Sequence, residues 1–204
     1  MRIYLVRHGE TDWNLEMRIQ GQIDVPLNVS GINQAKECAL FFRQNSFDYV
    51  YSSRLKRAIE TAEIITSGKL SIRKYQAFNE RSFGTWETFL WSEIHQKNPD
   101  LREQWKLLGR QYHPPEGESI LEMTTRVTRK FREIIDRHLI NDSLLIVAHG
   151  GPIKVMIGNV MGIDEYVVYN RLEMHNCCIN IMEYDGDTFK IERINYVHRP
   201  VINH

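Results

Sequence analysis

Residues 3–9 read IYLVRHG, and residues 144–150 read LLIVAHG. Each stretch begins with an uninterrupted apolar run, from Ile3 to Val6 and from Leu144 to Ala148. Short apolar runs without alternation are typical of strands that are buried on both faces of a parallel sheet. The two stretches therefore predict two core strands, each with a histidine and a glycine at its carboxyl end.

Apolar residues recur at helical spacing in three segments between these strands. They are Ile32, Ala35, Ala39 and Phe42; then Leu55, Ala58, Ala62 and Ile65; then Ile120, Met123, Val127, Phe131 and Ile134, with a capped start at 116–119. Further strands are predicted at 49–51 and 72–75, and an edge hairpin over 178–184 and 189–196. Strands that alternate with helices in this way predict an α/β sandwich.

The composition limits the class of protein. The chain of 204 residues fits one domain, residues 1–204, that is large enough to bury a core. Acidic and basic residues balance at 26 each, which argues against binding of nucleic acid or a membrane through an overall field. The basic residues at 54–57 and 126–137 are interpreted as solvated helix faces, with Arg57 as the exception.

The cysteines indicate a reducing compartment. Cys38, Cys177 and Cys178 have neither metal-ligand spacing nor the pattern of a secreted disulfide framework. No secretory leader precedes Ile3, and no apolar stretch approaches the roughly 18 residues that a membrane span requires. We expect a soluble, cytoplasmic protein.

Both predicted core strands end in residues that can carry chemistry. Arg7-His8-Gly9 follows the first, and His149-Gly150 follows the second. Open α/β sheets bind ligands at the carboxyl ends of strands, and a glycine there allows close approach of backbone to ligand. A lone Arg-His-Gly could equally be a turn. Two such ends favour a site in which one imidazole attacks phosphorus, while the other and a helix amino terminus stabilise the phosphoryl oxygens.

A metal pair is the competing interpretation of two histidines. No carboxylate stands at ligand spacing beside His8 or His149, and there is no His-Glu-x-x-His sequence. Arg7 would also repel a cation. We therefore expect neither a metal nor another cofactor.

An ordered series of motifs extends over almost the whole chain. The motifs are Arg7-His8-Gly9; Asp12-Trp13-Asn14; Gln20-Gly21-x-x-Asp24-x-Pro26-Leu27; Ser52-Ser53-x-Leu55-x-Arg57-Ala58-x-x-Thr61-Ala62; Asn79-Glu80-Arg81-x-Phe83-Gly84-x-Trp86-Glu87; and His149-Gly150-Gly151. With this series the sequence resembles the histidine phosphatase superfamily, in its phosphoglycerate-mutase-like branch. The resemblance implies a three-layer sandwich with a central mixed, mostly parallel sheet flanked by helices.

The resemblance also implies roles for individual residues. His8 is expected to be the nucleophile that becomes phosphorylated, and Glu80 the proton donor. The expected phosphate pocket is formed by Arg7, Arg57 and His149, with Asn14 as an auxiliary contact. We add the Gly150 amide and Gln20 to this pocket. Asn14 and Gln20 are the weaker candidates, since loop amides usually satisfy backbone groups.

The chemistry of these residues agrees with the implied roles. Arg7 and Arg57 offer forked donors that suit phosphate oxygens, and their fixed charge disfavours the imidazolium form of His8. Without the resemblance, Arg57 would be interpreted as a surface helix residue, and Glu80 as a loop carboxylate paired with Arg81.

Residues 83–115 differ from the rest of the chain and predict a helical segment that covers the site. Trp86, Trp91 and Trp105 are interpreted as packing anchors, and whether some also line the pocket stays open. Thr88 stands where the family often has glycine after the Trp-Glu pair, which leaves the geometry of this segment open.

The predicted function is hydrolysis of small-molecule phosphomonoesters through a phosphohistidine on His8. The alternatives are phosphoglycerate-mutase-type transfer, α-ribazole 5'-phosphate hydrolysis as the specific activity, and a non-catalytic module that binds phosphoryl ligands. Mutases of the family are generally longer, whereas in length and in its Phe83-Gly84-x-Trp86-Glu87 stretch this sequence is similar to broad-specificity and α-ribazole phosphatases. This resemblance favours hydrolysis. The expected partner is a small phosphate ester, and a homodimer is left open.

Overall fold

Six strands and eight α-helices are present in residues 1–198, the part of the chain that the structure, a computed structural model, describes. The strands are β1 (Arg2–Arg7), β2 (Tyr49–Ser52), β3 (Ile72–Lys74), β4 (Ser143–Ala148), β5 (Ile179–Tyr184) and β6 (Phe189–Tyr196). The helices are α1 (Asp12–Leu15), α2 (Val29–Phe41), α3 (Lys56–Thr66), α4 (Trp91–Lys97), α5 (Leu101–Leu108), α6 (Ile120–Ile135), α7 (Gly150–Met161) and α8 (Glu165–Arg171).

The two predicted core strands are neighbours in one mixed sheet. The strand order is β3-β2-β4-β1-β5-β6, in which β3, β2, β4 and β1 are parallel and the β5–β6 hairpin is antiparallel at the edge. In the register of β1 and β4, Arg7 lies opposite Ala148. His8 and His149 therefore leave the sheet side by side.

Alternate residues of β1 pack against opposite helical layers. Ile3 and Leu5 pack in the cluster that contains α6 and α7, while Tyr4 and Val6 pack in the cluster that contains α2 and α3. Each such buried aliphatic side chain stabilises the fold by roughly 1.5–3 kcal/mol relative to exposure. The predicted three-layer α/β sandwich and its edge hairpin are confirmed.

Within residues 1–198, no helix has both the length and the apolar character needed to cross a membrane.

One predicted helix face is shifted. Ile32 is exposed, whereas Gly31 is buried, because the amino-terminal turn of α2 packs against backbone atoms of Glu10. A side chain at position 31 would overlap the Glu10 backbone. The start of α6 agrees with the prediction, since Ser119 and Glu122 form a reciprocal capping box.

The segment 83–115 contains α4 and α5 and is joined to the loop after α1. Ile19 donates its N–H to Phe89 and accepts from the Thr88 N–H, both at 2.9 Å. Buried apolar residues fix the segment from inside; they are Ile19, Phe83, Trp86, Ile94, Leu101 and Tyr112. The segment is therefore held against the loop that carries Gln20.

Thr88 adopts a φ of +81°, a conformation that disfavours β-branched residues and suits glycine. We expect Thr88→Gly to raise the free energy of unfolding by about 1 kcal/mol, because relief of backbone strain outweighs the added flexibility of the unfolded chain. Urea denaturation measures this. Thr85→Gly, in the same segment but without positive φ, should lower stability; a decrease for Thr88→Gly as well would contradict the account.

Candidate active site

His8 and His149 lie side by side at the ends of β1 and β4. Their ring centroids are 5.0 Å apart, with the planes inclined at 58°. His8 is 3% exposed and His149 is completely buried. The parallel register of the two strands thus brings the two predicted histidines together.

The ring of His8 is held by its own turn. Nδ1 of His8 lies 2.6 Å from the Gly9 carbonyl oxygen. Because a carbonyl oxygen can only accept, Nδ1 carries the proton, and Nε2 keeps a free lone pair. The local turn therefore selects the tautomer in which Nε2 is unprotonated.

The ring of His149 is held by Ser53, which follows β2. The Ser53 hydroxyl accepts from the Leu55 N–H at 3.2 Å and lies 2.8 Å from Nε2 of His149. The hydroxyl proton is then available to Nε2, which leaves Nδ1 of His149 as a donor. That donor is buried and has no partner among the described residues.

The two predicted arginines are both fixed through their terminal nitrogens. Arg57, which is 1% exposed, donates from Nη1 to Ile23 and from Nη2 to Gly21, both at 2.8 Å. Arg7 donates from Nη1 to the Met174 carbonyl. Within residues 1–198, Nε of each arginine is buried and unpaired, so each has a donor left for an anion.

Glu80 lies across the site from Arg7. Its carboxylate accepts from the Arg81 N–H at 2.8 Å and from the Gly151 N–H at 3.3 Å. A Cβ placed on Gly150 would lie 3.9 Å from Nε of Arg7 and 4.0 Å from Oε2 of Glu80. The open space over Gly150 is thus bounded by a cation and a carboxyl group.

Seven of the eight predicted site residues line one cavity of about 310 Å³, and His149 lies directly behind it. The seven are Arg7, His8, Asn14, Gln20, Arg57, Glu80 and Gly150. Oδ1 of Asn14 is used in the capping box of α1, where it accepts from the Thr11 N–H at 3.1 Å. Oε1 of Gln20 is buried and unpaired among the described residues. The structure therefore brings the predicted residues together around one cavity.

The sequence matches one known protein family over almost its whole length. The sequence pattern of the histidine phosphatase superfamily (branch 1) matches residues 3–197. This chain belongs to the histidine phosphatase superfamily. The family predicted from the motifs is confirmed.

Individual relatives of this histidine phosphatase differ in their names. A Bacillus subtilis protein named uncharacterized phosphatase PhoE is 34% identical, over 95% of this chain and 93% of its own length. Phosphoglycerate mutase-like protein 4 of Arabidopsis thaliana is 32% identical, over 93% of this chain and 83% of its own length. The crystal structure of the α-ribazole phosphatase from Shigella flexneri superposes with a TM-score of 0.88 at 26% identity, over 100% of both chains. The chain is thus a phosphatase-type member whose relatives include both phosphatase and mutase names.

Arg126 is not part of a solvated helix face. The basic residues at 126–137 were expected to form a solvated face, but Arg126 donates to the carbonyls of Ala77, Asn79 and Glu80 at 2.8–3.1 Å. Its charge is met by Glu118, 2.5 Å from Nε. Arg126 therefore ties α6 to the segment that presents Glu80, which helical spacing alone could not show.

Packing requires glycine at two positions beside the histidines. A side chain at position 9 would overlap the backbone of Gly31. Glycine at position 151 is needed because Glu80 and Met123 occupy the space beside it. Glycine 9 thus serves helix packing, and glycine 151 makes room for Glu80.

Four further residues of this histidine phosphatase contribute to the cavity or support it. Arg18, Lys154 and Tyr169 line it. Glu87 accepts from the N–H groups of Gln22 and Phe83 at 3.1 and 3.0 Å and thereby connects the two loops beside the site. Glu87 belongs to one of the sequence motifs, but only its contacts show that it connects the two loops beside the site.

Burial and the charges of Arg57 and Arg7 hold the pKa of His8 well below 6.5, and burial, Arg57 and His8 do the same for His149. In the unfolded chain both rings take up protons as the pH falls through that value, whereas in the fold they stay neutral. We expect the free energy of unfolding to fall between about pH 7 and 5, by about 2 kcal/mol for each ring that remains neutral. Urea unfolding in phosphate-free buffer measures this.

Two variants separate these rings from other titrating groups. His149→Gln should show a smaller loss of stability on acidification than the parent protein, while His175→Ala, which changes an exposed ring, should retain the full loss. Equal losses in all three proteins would contradict the assignment to buried neutral rings.

Ser53→Ala should disturb the active site without removing a group from it. Without the hydroxyl, His149 loses the contact that fixes its tautomer, so kcat for phosphate esters should fall by about 10-fold. Ser53→Thr keeps the hydroxyl and should retain most activity. Steady-state kinetics would contradict the role of Ser53 if alanine and threonine variants were equally active or equally impaired.

Proposed function

We propose that this histidine phosphatase hydrolyses small-molecule phosphomonoesters through a covalent phosphohistidine on His8, without a metal. One observation carries the proposal: three buried donors around the nucleophilic ring have no partner among residues 1–198. They are Nε of Arg7, Nε of Arg57 and Nδ1 of His149. Buried donors without partners are costly in a folded protein, and a phosphoryl group would satisfy all three.

In the first step, Nε2 of His8 attacks phosphorus in line, and the bond from phosphorus to the ester oxygen breaks. Protonated Glu80 gives its proton to the departing oxygen, so the alcohol leaves neutral. The charge of the transferred group is held by Arg7, Arg57 and His149. The Gly150 N–H adds a donor, because it stands at the first position of α7 and has no acceptor within the helix.

In the second step, water takes the place of the alcohol. The Glu80 carboxylate takes a proton from the water, whose oxygen attacks phosphorus, and the bond between phosphorus and Nε2 breaks. Phosphate leaves, and both His8 and Glu80 return to their starting protonation states. Fixed donors and positioning carry most of the rate in phosphoryl transfer, which suits a site built from arginines.

The remaining predicted contacts are weaker parts of the proposal. We assign Asn14 an auxiliary contact through its amide nitrogen, since its oxygen is used in the cap of α1. Gln20 is assigned to the rim of the phosphate, where its free oxygen can accept from a protonated phosphate or a substrate hydroxyl.

The donor set does not suit a metal. Within residues 1–198, no three His, Cys, Asp or Glu side chains are grouped to hold an ion. Two arginines instead flank the nucleophile and supply the positive charge. A chelator should therefore leave hydrolysis unchanged.

Release of inorganic phosphate from a broad panel of phosphomonoesters tests the function. We expect turnover with and without chelator. Phosphate binding with no turnover would favour the non-catalytic alternative. Conversion of 3-phosphoglycerate to 2-phosphoglycerate faster than phosphate release would favour mutase transfer, the activity suggested by the name of the Arabidopsis relative.

We also propose a cytoplasmic location. Cys38, Cys177 and Cys178 are buried and free, although Cys177 and Cys178 are adjacent in sequence. Free thiols suit a reducing compartment. Fractionation of the producing cells tests this, and recovery of the protein outside the cytoplasm would contradict it.

A further inference from the structure

Glu80 is presented by a loop whose backbone is held from outside the phosphate cavity. Arg126 of α6 donates from Nη1 to the carbonyls of Ala77 at 2.8 Å and Asn79 at 2.9 Å. Its Nη2 donates to the carbonyl of Glu80 itself at 3.1 Å. One guanidinium group therefore fixes three backbone carbonyls, and the last of them belongs to the residue that we assign as proton donor.

Glu118 holds the other side of the same loop. Its carboxylate contacts Arg126 twice, from Oε1 to Nε at 2.5 Å and from Oε2 to Nη2 at 2.7 Å. Its backbone carbonyl accepts from Nε of Arg81 at 2.6 Å, and its N–H donates to the Ser82 carbonyl at 2.9 Å. Arg126 and Glu118, called the clamp below, therefore fix the backbone both before and after the Glu80 side chain.

The carboxyl group of Glu80 is itself held only through backbone groups. It accepts from the Arg81 N–H at 2.8 Å and from the Gly151 N–H at 3.3 Å, and both of these partners among residues 1–198 are main-chain donors. Its place over Gly150 thus depends on where the loop lies. The clamp determines the position of the loop, and so of the carboxyl group.

The two side chains of the clamp are mostly buried and form a paired unit. They are 19% exposed for Arg126 and 15% exposed for Glu118. Because Glu118 neutralises Arg126, the clamp fixes the geometry beside Glu80 without adding a net charge there. The planar fork of arginine allows bidentate pairing with a carboxylate, which the point charge of a lysine does not.

We propose that Arg126 and Glu118 are positioning residues for proton transfer, because through the loop backbone they hold the Glu80 carboxyl group at the ester oxygen. The inference rests on the proposed function, in which Glu80 is the proton donor. Neither residue of the clamp lines the phosphate cavity, so neither contacts the phosphoryl group. A displacement of about 1 Å at a reacting group can lower a rate by about 10²-fold, so loosening the clamp should have a measurable effect.

Arg126→Lys tests the clamp with two esters of similar shape, phenyl phosphate and 4-nitrophenyl phosphate. Phenol is the poorer leaving group and depends on a proton from Glu80, whereas nitrophenolate leaves without one. We expect kcat/KM, which reports the first step, to fall by about 10-fold or more for phenyl phosphate and by less than about 2-fold for 4-nitrophenyl phosphate. General damage to the phosphate pocket would lower both values equally.

A double-mutant cycle shows whether the clamp acts through Glu80. Adding Arg126→Lys to Glu80→Gln should lower kcat/KM for phenyl phosphate by less than about 2-fold further, because the group that the clamp positions can no longer give a proton. Arg129→Lys is the matched control, since Arg129 is an exposed arginine of the same helix, and it should have parental activity.

Glu118→Gln makes the same test if Arg126→Lys does not fold. The amide keeps the shape of the carboxylate but accepts through only one oxygen, so it cannot hold both Nε and Nη2 of Arg126. The expected loss has the same dependence on the leaving group. Thermal unfolding of each variant shows that the folded protein is being compared.

The outcomes separate the clamp from the proposed function. Equal losses for the two esters, or losses that multiply in the double variant, would overturn the clamp and leave the phosphatase in place. If Glu80→Gln itself lowered kcat/KM equally for both esters, Glu80 would not be the proton donor, and the clamp would fail with that assignment. Absence of hydrolysis of either ester by the parent protein would overturn the proposed function and the clamp together.

Discussion

His8→Ala should lower kcat/KM for phosphomonoesters by about 10⁴-fold or more, since removal of a covalent nucleophile has effects of this size or larger in other enzymes. The ring is buried between strand ends that are themselves held by the sheet, so the variant should fold. The neighbouring imidazole of His149 does not replace His8, because Nε2 of His149 is occupied by Ser53. Little residual activity is therefore expected.

The control for this loss is His113→Ala, which changes an exposed histidine outside the cavity. It should have parental activity. Steady-state hydrolysis of an aryl phosphate and thermal unfolding of both variants make the comparison. A folded His8→Ala protein with more than about a tenth of the parental rate would remove His8 from the mechanism, because a nucleophile contributes far more than that.

Glu80→Gln should show a loss that depends on the leaving group. The amide has nearly the same shape and can still accept from the Gly151 N–H, but it cannot give a proton to the departing oxygen. Release of an alkyl alcohol should therefore slow by about 10²–10⁴-fold. Transfer from 4-nitrophenyl phosphate to His8 should be much less affected, because nitrophenolate leaves without a proton.

The second step of the Glu80→Gln reaction also lacks its base. With 4-nitrophenyl phosphate we therefore expect a burst of nitrophenol followed by slow turnover, as the phosphoenzyme accumulates. Stopped-flow absorbance measures the burst, and Glu116→Gln, an exposed carboxyl, is the control. Equal losses for alkyl and nitrophenyl esters, without a burst, would assign Glu80 a structural role only.

The elements that determine the fold were readable from the sequence because their signals are local. The apolar runs before His8 and His149 predict buried strands, and burial on both faces requires neighbours in a sheet. The motifs then grouped Arg57 and Glu80 with the histidines. The family resemblance, rather than spacing alone, placed these last two residues at the site.

Contacts between distant segments could not be predicted from the sequence. Arg126 reaches the Glu80 carbonyl across 46 positions, and Glu87 reaches the Gln22 N–H across 65. Both side chains bind backbone atoms, which carry no residue-specific signal in a sequence. The solvated interpretation of Arg126 was wrong for this reason.

The structure of residues 83–115 could likewise be predicted from the sequence only in part. The sequence indicated that Trp91 and Trp105 pack within residues 83–115, and they do contact one another. Whether such rings fill a core or leave a cavity depends on the direction of each side chain, which helical spacing does not determine. Thr88 could be predicted in part. The sequence shows that it differs from the glycine that is frequent in the family, but only the structure shows its positive φ.

The covalent intermediate tests the central proposal most directly. Glu80→Gln protein would be mixed with 4-nitrophenyl phosphate, quenched with denaturant at alkaline pH, where a phosphoramidate bond persists, and digested for mass spectrometry. The account predicts one phosphoryl group on the peptide that contains His8, and none when His8 is also replaced. Rapid turnover with no phosphoryl group on His8, or with the group on another residue, would contradict it.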